Sequence, residues 1–170
     1  VSPASEHAVP RTVAELMAQA HALECAAVER YCELADVMET HNNREVAALF
    51  RFLADQETTH AQAILERMGW TQAPSAPRSD PVPQPPALEA AHYLMHPWHA
   101  LQIALALEQQ AQAYYSELAT RCEDAALRRA AQQMQEEERE HVALLQDWLH
   151  KVPRPPDDWA EDPDPPRYTD

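Results

Sequence analysis

ALECAAVERYCELAD, residues 22–36, and ALEQQAQAYYSELAT, residues 106–120, agree at eight of fifteen positions. The shared residues include a glutamate (Glu24, Glu108), a tyrosine seven places on (Tyr31, Tyr115) and the closing Glu-Leu-Ala. Further along each half comes a Glu-x-x-His, ETTH at 57–60 and EREH at 138–141. Alanine-rich helices resemble one another by chance, but chance does not supply the same glutamate, the same tyrosine and the same downstream Glu-x-x-His. The chain therefore reads as a two-helix unit occurring twice.

The rest of the sequence fits that reading. It has one glycine, Gly69, and 15 prolines in 170 residues. A sheet protein of this size needs glycine at many turns, so the composition favours helices. Six prolines lie between Pro74 and Pro86 and six between Pro153 and Pro166, leaving the intervening segments nearly proline-free, as helix interiors require. Apolar residues at three- and four-residue steps mark four helices. The first opens on a T-x-x-E capping box, Thr12 with Glu15, and runs to about Thr40. The second is capped by Asn42 with Glu45 and stops at Gly69. The third begins at Pro97 and ends near Ala119, with a short helical piece before it at about 87–93. The fourth starts from Thr120 with Glu123, or from Asp124, and continues to about Lys151.

Short turns make antiparallel hairpins, and a long connection joins them. The expected fold is all-α, a four-helix bundle over 12–151 with a crossover at 70–96. An N-terminal arm (1–11) and a proline-rich acidic tail (152–170), with Trp159 and Tyr168 as anchors, flank it.

Net charge is −15, which disfavours nucleic acid and anionic membrane surfaces as partners and is compatible with handling cations. No stretch is apolar enough to span a bilayer, and VSPASEHAVP lacks a charged-then-apolar leader pattern. Cys25, Cys32 and Cys122 form no Cys-x-x-Cys, so the described sequence builds no zinc ribbon, rubredoxin-type iron site or thioredoxin motif. Three free thiols suit a reducing compartment, and the expected location is cytoplasmic.

Which glutamates face inward follows from the apolar stripes. In the fourth helix the stripe Leu127, Ala131, Met134 continues through Glu138 and His141 to Leu145 and Trp148. Glu136 and Glu140 fall on the outer face and Glu137 at the flank. In the second helix Val46, Phe50, Leu53, Glu57, His60, Ile64 and Met68 form one line, and Glu108 lies on the line of the third. Glu24 flanks Leu23 on a less clean stripe. Counted from the turns at about 1.5 Å per residue, the glutamates of each hairpin lie within roughly 5 Å in height. Four glutamates and two histidines then converge about a pseudo-twofold. Buried carboxylates without partners are costly, and two divalent cations resolve that cost. A glutamate from each of two helices plus Glu-x-x-His from the other two is the dinuclear carboxylate arrangement.

On these residues (Glu24, Glu57-x-x-His60, Glu108, Glu138-x-x-His141, Tyr31 and Tyr115) the chain resembles the rubrerythrin-like branch of the ferritin-like superfamily over roughly 12–151. The resemblance implies bridging roles for Glu57 and Glu138, terminal roles for Glu24 and Glu108, and one histidine, His60 or His141, per metal. The chain departs from rubrerythrins proper in lacking a further glutamate one turn from Glu108, where Leu105 and Ala111 stand, and in lacking a rubredoxin module.

Tyr31 and Tyr115 are candidates to hydrogen-bond the metal carboxylates, or are core aromatics. His21 reads as a surface residue, His92, His96 and His99 as spacing interrupted by Pro97, and Cys25 as packing. The oxygen-rich donor set suits two iron ions, with manganese as the alternative and zinc adventitious. The expectation is a non-haem di-iron oxidoreductase that consumes hydrogen peroxide or dioxygen, takes electrons from a separate donor protein, and pairs as a homodimer. The alternatives are a ferroxidase or iron-binding protein, and a metal-stabilised interaction module without turnover.

Overall fold

The computed structural model describes residues 9–76 and 95–158. Within them lie four helices: α1 (Val13–Thr40), α2 (Arg44–Met68), α3 (Pro97–Arg121) and α4 (Ala125–Lys151). The expected piece at 87–93, His92, most of the arm, and the tail from Trp159 on, including Tyr168, lie outside the described residues.

Each helix end has a local cause. Thr12 caps α1 by accepting from the Glu15 N–H at 3.1 Å. The expected capping box is displaced by one residue, because the Glu15 carboxylate accepts from the Arg11 N–H at 2.7 Å and not from Thr12. The second cap differs too. The N-cap of α2 is Asn43, which makes no side-chain cap bond, while Asn42 takes φ 61°. Asparagine tolerates this left-handed conformation better than most residues, so Asn42 makes the turn rather than the cap. Gly69 ends α2 at φ 65°, with its N–H on the Glu66 carbonyl. Pro97 is the first residue of α3, and the His96 N–H donates to Nδ1 of His99 at 3.3 Å. That accounts for the His96/His99 spacing as a helix-start feature. Asp124, the second of the two predicted starts, caps α4 by accepting from the Leu127 N–H at 2.8 Å.

α1 packs along α2 and α3 along α4, forming two antiparallel hairpins, and across the seam α1 meets α4 and α3. The core is divided. One apolar cluster gathers Leu34, Met38, Phe50, Leu53, Leu101 and Leu145, at the end holding the α1–α2 turn and the start of α3. The other gathers Leu16, Met17, Ile64, Leu118, Leu127 and Met134 at the opposite end. Between them every helix contributes a buried acid: Glu24, Glu57, Glu108 and Glu138. The two clusters hold the bundle together, and the acidic layer between them is where its chemistry is concentrated. No helix among the described residues is long and apolar enough to cross a membrane.

Candidate metal centre

The four carboxylates are almost wholly removed from solvent: Glu24 is 2% exposed, Glu57 1%, Glu108 4% and Glu138 5%. His141 is buried with them, while the His60 side chain keeps 20% exposure. The six residues singled out by periodicity thus meet in one layer. Glu57 stands between the two imidazoles, with His141 Nδ1 2.7 Å from its Oε1 and His60 Nδ1 3.6 Å from its Oε2. Glu108 Oε1 lies 3.6 Å from His141 Nδ1, and Glu24 Oε2 lies 3.9 Å from His60 Nδ1. The imidazole rings stack at 5.5 Å between centroids.

Close approach is not the same as hydrogen bonding here. Glu24 Oε1, both oxygens of Glu57 and Nδ1 of each histidine are buried and have no hydrogen-bond partner. Even the 2.7 Å contact between His141 and Glu57 lacks the alignment of a hydrogen bond. Buried polar atoms are nearly always satisfied, so five orphaned atoms pointing into one layer point to a missing partner. Lone pairs on oxygen and imidazole nitrogen, with no lysine or arginine among them, fit cations. Two overlapping sets of donor atoms lie within 4.8 Å of one another across the seam: Glu57, Glu108, Glu138 and His141, and Glu57, His60 and His141.

The protonation of the layer reflects its crowding. Burial pushes the Glu24 carboxyl up to about 11, and neighbouring Glu57 adds to the rise. Burial pushes Glu138 up to about 12, with Glu108 adding to it. Burial would raise Glu57 as well, but His141 and His60 outweigh it and hold that carboxyl below the usual range. Burial lowers His141, yet Glu108 and Glu57 lift it to about 10. Like charges at this separation cannot all ionise, so protons occupy positions that cations would otherwise hold.

The tyrosines behave differently from each other. Tyr31 donates its hydroxyl to Glu108 Oε1, reaching from the first hairpin into the second. Tyr115, its repeat counterpart, is fully buried and its hydroxyl has no partner. His21 sits beside Cys25, whose Sγ is 3.9 Å from either ring nitrogen, and Cys25 is exposed rather than packed in the core. One acid's role was missed in the sequence. Glu137, placed at the flank, turns its carboxylate to His60 at 3.7 Å and joins Glu24 and His60 in a third donor set. The signal was present in the alignment of the two Glu-x-x-His segments, where Glu137 stands opposite Gln56 and breaks the repeat.

Comparison with known proteins agrees with this architecture. Residues 15–95 match the rubrerythrin family and residues 98–167 the ferritin-like domain. A crystal structure of an uncharacterized conserved protein from Magnetospirillum magnetotacticum MS-1 is similar at 40% identity and a TM-score of 0.75, covering 85% of this chain and 98% of that one. The chain is a rubrerythrin-like member of the ferritin-like superfamily. A more distant likeness, at 20% identity and TM-score 0.47, is to a bacterioferritin from Rhodobacter capsulatus, over 82% of this chain and 84% of that one. None of the curated proteins matches the chain significantly. The rubrerythrin-like chain has a carboxylate–histidine cluster of the kind its family uses for a dinuclear metal site.

Proposed function

We propose that the protein is a non-haem di-iron or di-manganese oxidoreductase that reacts with hydrogen peroxide or dioxygen. The observation that carries this reading is the layer of unpartnered, oppositely matched donor atoms buried between the two hairpins. By the family resemblance, supported for Glu57 by its presence in two donor sets, Glu57 and Glu138, one from each hairpin, would be the ligands shared between two cations. Glu24 with His60, and Glu108 with His141, would each complete one of them. A pair of ferrous ions would supply two electrons to peroxide or dioxygen, the step being completed by a reductant. A separate donor protein is the proposed source of those electrons.

The chain's own residues do the rest. Apolar clusters flank the layer on either side, and of the six residues only His60 keeps appreciable exposure. Tyr31 holds Glu108 in position through its hydroxyl, an arrangement of the kind that fixes ligand orientation in metal sites. Glu24 and Glu138 hold protons when no cation is present and release them when one binds.

Elemental analysis of protein purified without added metal tests the reading. About two iron or manganese atoms per chain, lost in a Glu57→Ala/Glu138→Ala variant, support it, and peroxide consumption with an added reductant then follows. Metal-free protein in both cases would overturn it. A second reading, in which ferrous iron is itself the substrate, is favoured by the partial exposure of His60. Oxidation of more than two irons per chain in an aerobic titration would select it.

A further inference from the structure

We propose that Glu137 is a seventh ligand, bound to the cation held by Glu24 and His60, and that this half of the pair is the one through which cations enter and leave. The inference rests on the dinuclear reading above and deepens it.

Three observations carry it. First, Glu137 has an inward role that its neighbours lack. Glu136 is exposed and paired with Arg139 at 2.6 Å, and Glu140 is exposed on the outer face. Glu137 keeps 28% exposure, and among the described residues its one ion-pair partner is His60. Second, it faces an orphan. Glu24 is 2% exposed and its Oε1 has no hydrogen-bond partner, and donor atoms of Glu24, His60 and Glu137 lie within 4.8 Å of one another. Third, the two halves of the layer are unequal. The set formed by Glu57, Glu108, Glu138 and His141 is buried throughout, and Tyr31 fixes one of its members. The Glu24 set is buried at one residue and half-buried at the other two. A cation arriving from solvent meets Glu137 and His60 before any other donor.

Charge counting points the same way. Four carboxylates balance two divalent cations and leave an excess of two when both become trivalent. Five carboxylates leave one negative charge in the first case and one positive in the second. With Glu137 the site stays within one charge of neutrality across a two-electron change, which is the favourable condition in a poorly solvated interior. The repeat has no second such acid, since Gln56 occupies the corresponding place in α2.

The test is a titration of metal-free full-length protein with manganese(II), which does not oxidise during the measurement, followed by calorimetry. The wild-type protein should take up two cations in two steps of unequal affinity. Glu137→Gln should leave the tighter step unchanged and weaken the other by about 10- to 100-fold. Glu140→Gln, an equal loss of charge on the exposed face of the same helix, should alter neither. Identical isotherms for Glu137→Gln and wild type would overturn the proposal, as would equal weakening of both steps or an effect matched by Glu140→Gln. A wild-type protein that binds no manganese and no iron would overturn the dinuclear reading itself, an outcome distinguishable from failure of Glu137 alone.

Discussion

Replacing a buried ligand should stabilise the metal-free protein. Glu138 is 5% exposed, and burial with Glu108 beside it raises its carboxyl to about 12 from the ordinary 4.5. The sign follows from proton counts. Below pH 4.5 both folded and unfolded chains carry the proton, and the group is neutral in effect. As pH rises above 4.5 the unfolded chain releases it while the folded chain retains it, so stability falls with pH until the folded value is reached. At pH 7 the loss is on the order of 2–3 kcal/mol, allowing for some relief from water entering beside His60. Glu138→Gln keeps the shape and a donor toward Glu108 but has nothing to ionise. In EDTA at pH 7 it should therefore melt roughly 4–12 °C above wild type, at about 2–4 °C per kcal/mol for a chain of this length. At pH 4.5 the two should coincide. With manganese(II) added the difference should shrink or reverse, because the wild type gains more binding energy than the variant. Thermal unfolding followed by circular dichroism at the two pH values, with and without metal, reads all four conditions. A variant no more stable than wild type at pH 7, or a gain of equal size at pH 4.5, would refute the reasoning.

Other outcomes follow from the same layer and from its frame. Manganese affinity should rise with pH between 5 and 8, by up to about tenfold per pH unit for each displaced proton, because Glu24, Glu138 and His141 hold protons that the cation must expel; competition with a chromophoric chelator measures this. Tyr31→Phe removes the donor to Glu108 and should lower stability by about 1 kcal/mol and weaken metal uptake about tenfold or more, by the same assays. Tyr115→Phe deletes a buried hydroxyl that has no partner and should leave stability in EDTA unchanged or raise it by about 1 kcal/mol, opposite in sign to Tyr31→Phe. Gly69→Ala meets no steric obstacle, since nothing lies within 4 Å of an added Cβ, so its cost is that of φ 65° alone, about 1–2 kcal/mol and a melting point lower by roughly 2–8 °C.

Much of this was legible in the sequence because helical periodicity is a strong constraint. Glu57, His60, Glu138 and His141 interrupt stripes that are otherwise apolar, and an interruption that occurs twice at matching heights identifies a layer. Glu24 was harder, since its stripe is mixed, and the repeat rather than the period located it. What the sequence did not yield depends on how one hairpin is turned against the other. Glu137 is only about 100° from Glu138 around α4, and whether that direction meets solvent or His60 is set by α2 across the seam. The difference between Tyr31 and Tyr115 has the same origin, since equivalent residues in a repeat have inequivalent surroundings once the halves dock. The helix ends slipped for a local reason. Asn42 and Asn43 offer the same side chain one residue apart, and the tight turn takes the first for its left-handed backbone, leaving the second to begin the helix.

The seam itself has a consequence for how the molecule comes apart. The apolar clusters at either end draw on all four helices, but between them the hairpins meet through a layer of crowded acids that adds little attraction of its own. A cation shared by Glu57 and Glu138 would therefore work as a rivet, fastening two halves that each hold only part of its coordination. Cleaving the chain within 77–94 would make that fastening visible, because the two fragments would associate more tightly with metal supplied and less tightly on chelation. The protein would then report its own loading through its quaternary state.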